Sequence, residues 1–242
     1  MQITCYGLKI VTRFGAETPP PAGVTLLENA LKRAEKTFEN KKLKEARQIA
    51  DTAVNTFPQS YCPALARLHY LCADAIFLLY INNKEKQNIV PKEKAQFLAH
   101  LGQLDAIYST LLSKQPHTLK PEDYQCWAQS KLILHDTHDE YPATQEKHLE
   151  RARNILEGKT ACEFLSLRGE IFHASAVIAQ RCDRPPQDIE RYFKLALSSY
   201  AKLRHYRNGT DSEDERLVRR TARDNFKNTR AEYENWLSNS DT

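Results

Sequence analysis

A chain of 242 residues with 41% hydrophobic side chains is long enough to bury a continuous core, as one extended or two compact domains. Its formal excess of four positive charges within a 27% charged composition sets no chain-wide demand for nucleic acid, so any basic binding surface is local. Only seven glycines are present, which argues against sandwiches, Gly-rich phosphate loops and low-complexity tracts and favours long helices.

Met1 to Phe14 carry Lys9 and Arg13 where a signal peptide needs an unbroken apolar stretch. The most hydrophobic run, Ala73 to Ile81, contains Asp74 and falls well short of the roughly 20 apolar residues that span a bilayer. The expectation is a cytoplasmic protein without a membrane span. Cys5, Cys62, Cys72, Cys126, Cys162 and Cys182 form no C-x-x-C pair, so free, mostly buried thiols are expected rather than a disulfide frame or a zinc site.

Residues 1–23 form an N-terminal arm. Ile3, Cys5, Leu8, Ile10, Thr12 and Phe14 show a broken alternation that reads as a strand, ended by the stiff spacer Thr18-Pro19-Pro20-Pro21. One strand does not stand alone in water. The arm packs on the helices, pairs with a second copy to make a homodimer, or is disordered.

From Thr25 the apolar periodicity is helical. The spacing predicts helices near 26–40, 42–57, 61–82, 92–115, 121–135, 143–157, 161–181, 186–205 and 213–237. Pro58, Pro63, Pro91, Pro116, Pro121, Pro142, Pro185 and Pro186 all fall between these segments or in their first turns, where a missing N–H costs nothing. Thr25/Glu28, Thr160/Glu163 and Ser212/Glu215 read as capping boxes, and Asn208-Gly209-Thr210 reads as a turn. Short connections make consecutive helices antiparallel. This gives three segments: the arm (1–23), four hairpins (24–207), and a capping helix with its tail (208–242).

Ala46, Ala50 and Ala53 share one face of the second predicted helix, and Pro58 closes that helix. With Ala34, Ala46, Ala53 and Pro58 at the small-residue and proline positions, residues 27–60 resemble a tetratricopeptide (TPR) repeat, matching four of its eight marks. Ala30, Arg33, Thr37 and Ala50 stand where that pattern has bulkier residues. Weaker traces follow in Tyr108, Leu111 and Pro116, in Trp127, Ala128, Leu149, Ala152 and Leu156, and in Leu165, Gly169, Phe172, Ile189, Phe193 and Ala196. The resemblance implies an all-α fold: antiparallel helical hairpins stacked as a TPR-like right-handed solenoid of about nine helices, whose concave groove takes a peptide or helix of a partner. By the same analogy the first helix of each hairpin lines the groove, which makes Arg33, Arg67, His69, Tyr70, Tyr124, Trp127, Lys131, Arg168 and Phe172 contact candidates. Of these, Trp127 and Phe172 also suit packing between helices.

In helix count, and in Arg223-Asp224-Asn225 followed by Trp236, the chain also resembles the 14-3-3 proteins. The segment Tyr61 to Ile81 holds Arg67 and no Lys, so that family's basic phosphate ligands are missing and no phosphopeptide site is carried over.

In the last predicted helix, Arg216, Arg220, Arg223, Lys227 and Arg230 lie in one stripe. Val218, Ala222, Phe226, Thr229, Tyr233 and Trp236 form a second stripe roughly 120° away. The cationic stripe is either a solvated flank or a surface for an acidic peptide, phosphate groups or RNA, because guanidinium forks match carboxylate and phosphate. A second basic group (Lys32, Arg33, Lys36, Lys41, Lys42, Lys44, Arg47) is interleaved with Glu28, Glu35, Glu39 and Glu45 and should be neutralised locally. Lys202, Arg204, His205 and Arg207 offset the dipole at the end of the eighth helix.

His135 to Glu140 superficially resembles a metal box but precedes Tyr141-Pro142 and reads as a polar turn. His173 reads as a hydrogen-bonded core histidine. No Ser or Cys sits on a sharp Gly turn beside a His and a carboxylate, so no catalytic residue, cofactor or metal is assigned. The sequence therefore reads as a protein-interaction adaptor for a protein or peptide partner with acidic character, and secondarily as a phosphopeptide- or RNA-binding helical-repeat protein that uses the basic stripe.

Overall fold

Proline fixes φ and cannot donate from within a helix, so it starts helices well, and in this chain it does so five times. The computed structural model describes residues 22–58, 60–81, 91–135, 142–159, 164–205 and 213–240. Among them are nine α-helices and no strand: α1 (Ala22–Glu39), α2 (Leu43–Thr56), α3 (Pro63–Ile76), α4 (Pro91–Lys114), α5 (Pro121–His135), α6 (Pro142–Ile155), α7 (Leu165–Arg181), α8 (Pro186–Leu203) and α9 (Glu213–Ser240). Pro63, Pro91, Pro121, Pro142 and Pro186 each open a helix, and Pro116 opens a short 3-10 turn.

Three expectations are corrected. The first concerns α1, which begins at Ala22, so Thr25 lies inside the helix and caps nothing, and the arm ends two residues earlier than its predicted boundary. Gly23 in that extra turn faces the Phe57 ring at the end of α2, which a Cβ built on the glycine would meet at 3.8 Å. The second concerns α3, which does not run on as regular α-helix to residue 82: Phe77–Ile81 form a π-helical turn in which Phe77 stacks on Phe97 at 6.3 Å. The third is Val218, expected in the docking stripe of α9 but 41% exposed. The buried row of that face begins only at Ala222, and Leu217 is exposed beside Val218. The predicted strand and proline spacer, the Thr160/Glu163 box, Ser212, the Asn208-Gly209-Thr210 turn, His138, Cys5 and Cys162 lie outside the described residues. The other four cysteines are free thiols, with Cys62 and Cys72 buried and Cys126 and Cys182 half-buried.

The chain divides into two units, one ending at Cys126 and the other starting at Trp127, with the division inside α5. In the first unit α3 is central and packs on α1, α2 and α4. Its sequence is apolar nearly all round, so it has no face to give to water, and Leu65, Leu68, Cys72 and Ile76 are fully enclosed. The Ala46, Ala50 and Ala53 face of α2 is buried together with Ala34 of α1, as small side chains permit when helix axes approach closely. The turn from α1 to α2 puts Lys41 in the left-handed region (φ 61°), while Lys42 N–H donates to the Thr37 carbonyl at 3.2 Å.

In the second unit α7 packs on α6 and α8, and α8 on α9. Ile189, Phe193, Ala196, Tyr200 and Leu203 of α8 fall on one stripe by helical spacing, and all are buried. Phe193 sits with Ala176, Ala179 and Ile189, and Tyr192, Tyr233 and Trp236 pack against that cluster. Burying a Phe side chain contributes about 1.5–3 kcal/mol. Tyr200 lies so close to Gly169 of α7 that a Cβ built on the glycine would overlap its ring.

Candidate functional site

α9 has two unlike faces, and the packing of α8 against one of them decides which residues remain for a ligand. Ala222 and Thr229 are buried and Phe226, Tyr233 and Trp236 half-buried, whereas Arg216, Arg220, Arg223, Lys227 and Arg230 are all exposed. The acidic residues of the helix are engaged elsewhere in part. Glu215 pairs with Arg219 at 3.6 Å, Glu232 meets His173 Nε2 at 2.7 Å, and Glu234 accepts from Arg230 Nε at 2.7 Å. The C-terminal end of the stripe is therefore neutralised at Arg230, whereas Arg220, Arg223 and Lys227 in its middle form no ion pair among the described residues.

Beside that middle, the end of α8 contributes two further basic side chains. Arg204, His205, Arg223, Phe226 and Lys227 line an open cleft of about 370 Å³, and none of the five is acidic. Arg204 lies with its guanidinium 4.6 Å from the Phe226 ring centre, a cation–π contact that fixes its plane at the cleft wall. Its Nε donates to His205 Nε2 at 3.0 Å. An aromatic floor under converging cations suits an anionic group, since the floor excludes water on one side and the guanidinium fork matches two oxygens.

The remaining sequence candidates are placed differently. Trp127 is 2% exposed and Lys131 7%, so both lie inside the fold, and the Arg151 guanidinium lies 5.4 Å from the Trp127 ring centre. Arg67 is half-buried and ion-paired with Glu35 across two helices; burial raises the Glu35 pKa against the pull of Arg67. Arg168 donates to the carbonyls of Leu156 (3.2 Å) and Lys159 (2.9 Å) at the end of α6 and lies 5.6 Å from the Phe172 ring, so it acts as a cap for orphan acceptors. Phe172 itself stacks on Tyr192 at 6.5 Å. Arg33 is exposed, and Tyr70 and Tyr124 are half-buried. His69 is buried, with its Nδ1 3.0 Å from His100 Nδ1. His173 is hydrogen-bonded to Glu232, as expected, but is half-buried rather than in the core.

The basic group of the first hairpin does not pair only within its own helix. Lys42 meets Glu45 at 3.4 Å, but Glu35 serves Arg67, and Arg47 reaches Glu93 on α4 at 2.8 Å. Sequence reasoning assigned Arg204 and His205 to the α8 dipole and so missed their place in the cleft. The signal available was Phe226, the aromatic that borders the cationic stripe. It also missed the grouping of Asp51, Cys72 and His100, three residues able to ligate a metal, whose atoms lie within 4.8 Å of one another.

The fold and this cleft together define an all-helical protein with a local cationic surface, and no helix among the described residues is long and apolar enough to cross a membrane. Comparison with family models, with curated proteins and with solved structures found no match.

Proposed function

We propose that the protein is an interaction module, a TPR-like array of helical hairpins, that holds a partner protein by an acidic or phosphorylated segment at the cleft between α8 and α9. The observation that carries this reading is the convergence of Arg204, Arg223 and Lys227 around Phe226 without an acidic residue among them. Packing of α1 on α3, as well as of each on α2, supports the stacked-hairpin arrangement in the first unit. Because Trp127 and Lys131 are buried and Arg67 and Arg168 are engaged within the fold, these four predicted groove residues are less suited to a ligand than the last helix, which favours the cleft in this reading. A peptide rather than RNA is favoured because the cleft offers one aromatic side chain, whereas single-stranded nucleic acid is held by successive bases stacked on several.

Fluorescence anisotropy tests the reading with three probes: an acidic phosphoserine peptide, its unphosphorylated form, and a single-stranded RNA of similar charge. The phosphopeptide is expected to bind with an affinity that falls as salt rises, and Arg223→Glu/Lys227→Glu to weaken it at least tenfold. Equal binding by wild type and variant, or preference for the RNA, would refute it.

A further inference from the structure

We infer that Asp51, Cys72 and His100 form a binding site for one divalent transition-metal ion of the zinc class, in the first unit and independent of the anion cleft. The three residues come from α2, α3 and α4, of which α2 and α4 each pack on α3. Their ligand atoms lie within 4.8 Å of one another, and His100 Nε2 is 3.3 Å from Asp51 Oδ1. Ligand atoms at about 2.0–2.3 Å from a tetrahedral zinc are a little closer together than this, a difference that rotation of the side chains removes. One sulfur, one imidazole nitrogen and one carboxylate oxygen make a set that favours zinc or cobalt over magnesium or calcium.

The stronger argument is the shell behind these atoms. A ligating imidazole needs its second nitrogen held, and His100 Nδ1 lies 3.0 Å from His69 Nδ1. Without an ion, Nε2–H of His100 faces Asp51 Oδ1 at 3.3 Å; an ion on Nε2 would take the place of that proton and select the tautomer in which Nδ1–H donates to His69. A ligating carboxylate needs its second oxygen held, and Asp51 Oδ2 lies 3.3 Å from Arg47 Nε. Arg47 is in turn fixed by Glu93 at 2.8 Å and Gln96 at 2.7 Å, and Glu93 balances its charge. The ion therefore faces two anions, Asp51 and the Cys72 thiolate. On binding, the Cys72 thiol releases its proton to solvent as the sulfur–metal bond forms. Of the three residues Asp51 alone lines an open cleft of about 390 Å³, with Arg47, Thr52 and Tyr80, so an ion would enter from the Asp51 side.

Cobalt(II) is the probe. Titrated into the chelator-treated full chain at neutral pH, it should bind with a stoichiometry of one, giving visible ligand-field bands and a near-ultraviolet thiolate-to-cobalt band. Zinc should displace it, and magnesium should not. Cys72→Ser should lose the thiolate band while Cys62→Ser keeps it, and His69→Gln should weaken binding roughly 10- to 100-fold through its hold on His100. Absence of saturable binding by the wild type overturns the inference whatever the variants do, and so does a thiolate band that survives Cys72→Ser in a variant with an unchanged far-ultraviolet circular dichroism spectrum. Either result would show a hydrogen-bonded network and nothing more.

Discussion

Gly169 and Gly102 are both interior to helices, and the same substitution at each should have opposite effects. At Gly169 an added Cβ meets three atoms of the Tyr200 ring closer than 3.0 Å, and Tyr200 is 1% exposed, so the ring has nowhere to move. Overpacking of this kind costs about 1–3 kcal/mol, against which alanine regains up to about 1 kcal/mol of helix propensity. Because three ring atoms are met at once, the upper half of that cost applies, and the net expectation is a loss of about 1–2 kcal/mol for Gly169→Ala. At Gly102 a Cβ meets nothing within 4 Å, so Gly102→Ala keeps the propensity gain and stabilises by about 0.5–1 kcal/mol. Urea unfolding followed by circular dichroism measures both, and Gly169→Ala/Tyr200→Leu should recover much of the loss. If Gly169→Ala is as stable as the parent, the close approach of α7 and α8 is not what the glycine serves.

Other expectations can be checked with the same equipment. Burial, then the charges of Arg181 and His148, hold the His135 pKa down at about 4 from its ordinary 6.5. Because the unfolded chain binds that proton more tightly, stability is full above pH 6.5 and falls as pH drops toward 4, by at most about 2–3 kcal/mol. His135→Gln should flatten that acid limb in a pH series of unfolding curves, and an unchanged limb would reject the assignment. Lys41→Gly relieves a left-handed lysine at the end of α1 and should stabilise by about 0.5–1 kcal/mol in the same assay. Phe193→Ala removes the ring that Tyr233 (5.4 Å) and Trp236 (6.2 Å) rest on; it should cost about 3–5 kcal/mol and, by freeing α9, raise its amide hydrogen exchange.

The helices were legible because their limits are set locally. Proline at N1 and an apolar stripe such as Ile189, Phe193, Ala196 and Tyr200 act within one segment, and the predicted boundaries follow from them. Local signals do not report what a neighbouring helix brings. Glu35 reads as a partner for a nearby lysine, yet Arg67 claims it from 32 residues away. Arg204 reads as a dipole counter-charge, and only the packing of α8 on α9 sets it over Phe226. His69 and Cys72 are spaced to share a face of α3, but their companions Asp51 and His100 come from other helices, and no spacing rule connects them. Thr25 shows the reverse error: a sound capping pattern lies inside α1, which begins three residues earlier at Ala22.

The central claim is that the α8–α9 cleft receives an acidic segment of a partner. Titration of the isotope-labelled full chain with an acidic phosphoserine peptide, followed by two-dimensional NMR, tests it most directly. The account predicts saturable shifts concentrated at Arg204, His205, Arg223, Phe226 and Lys227, lost in high salt. Shifts centred on Arg33, Tyr70 and Tyr124 instead, or none anywhere, would contradict it.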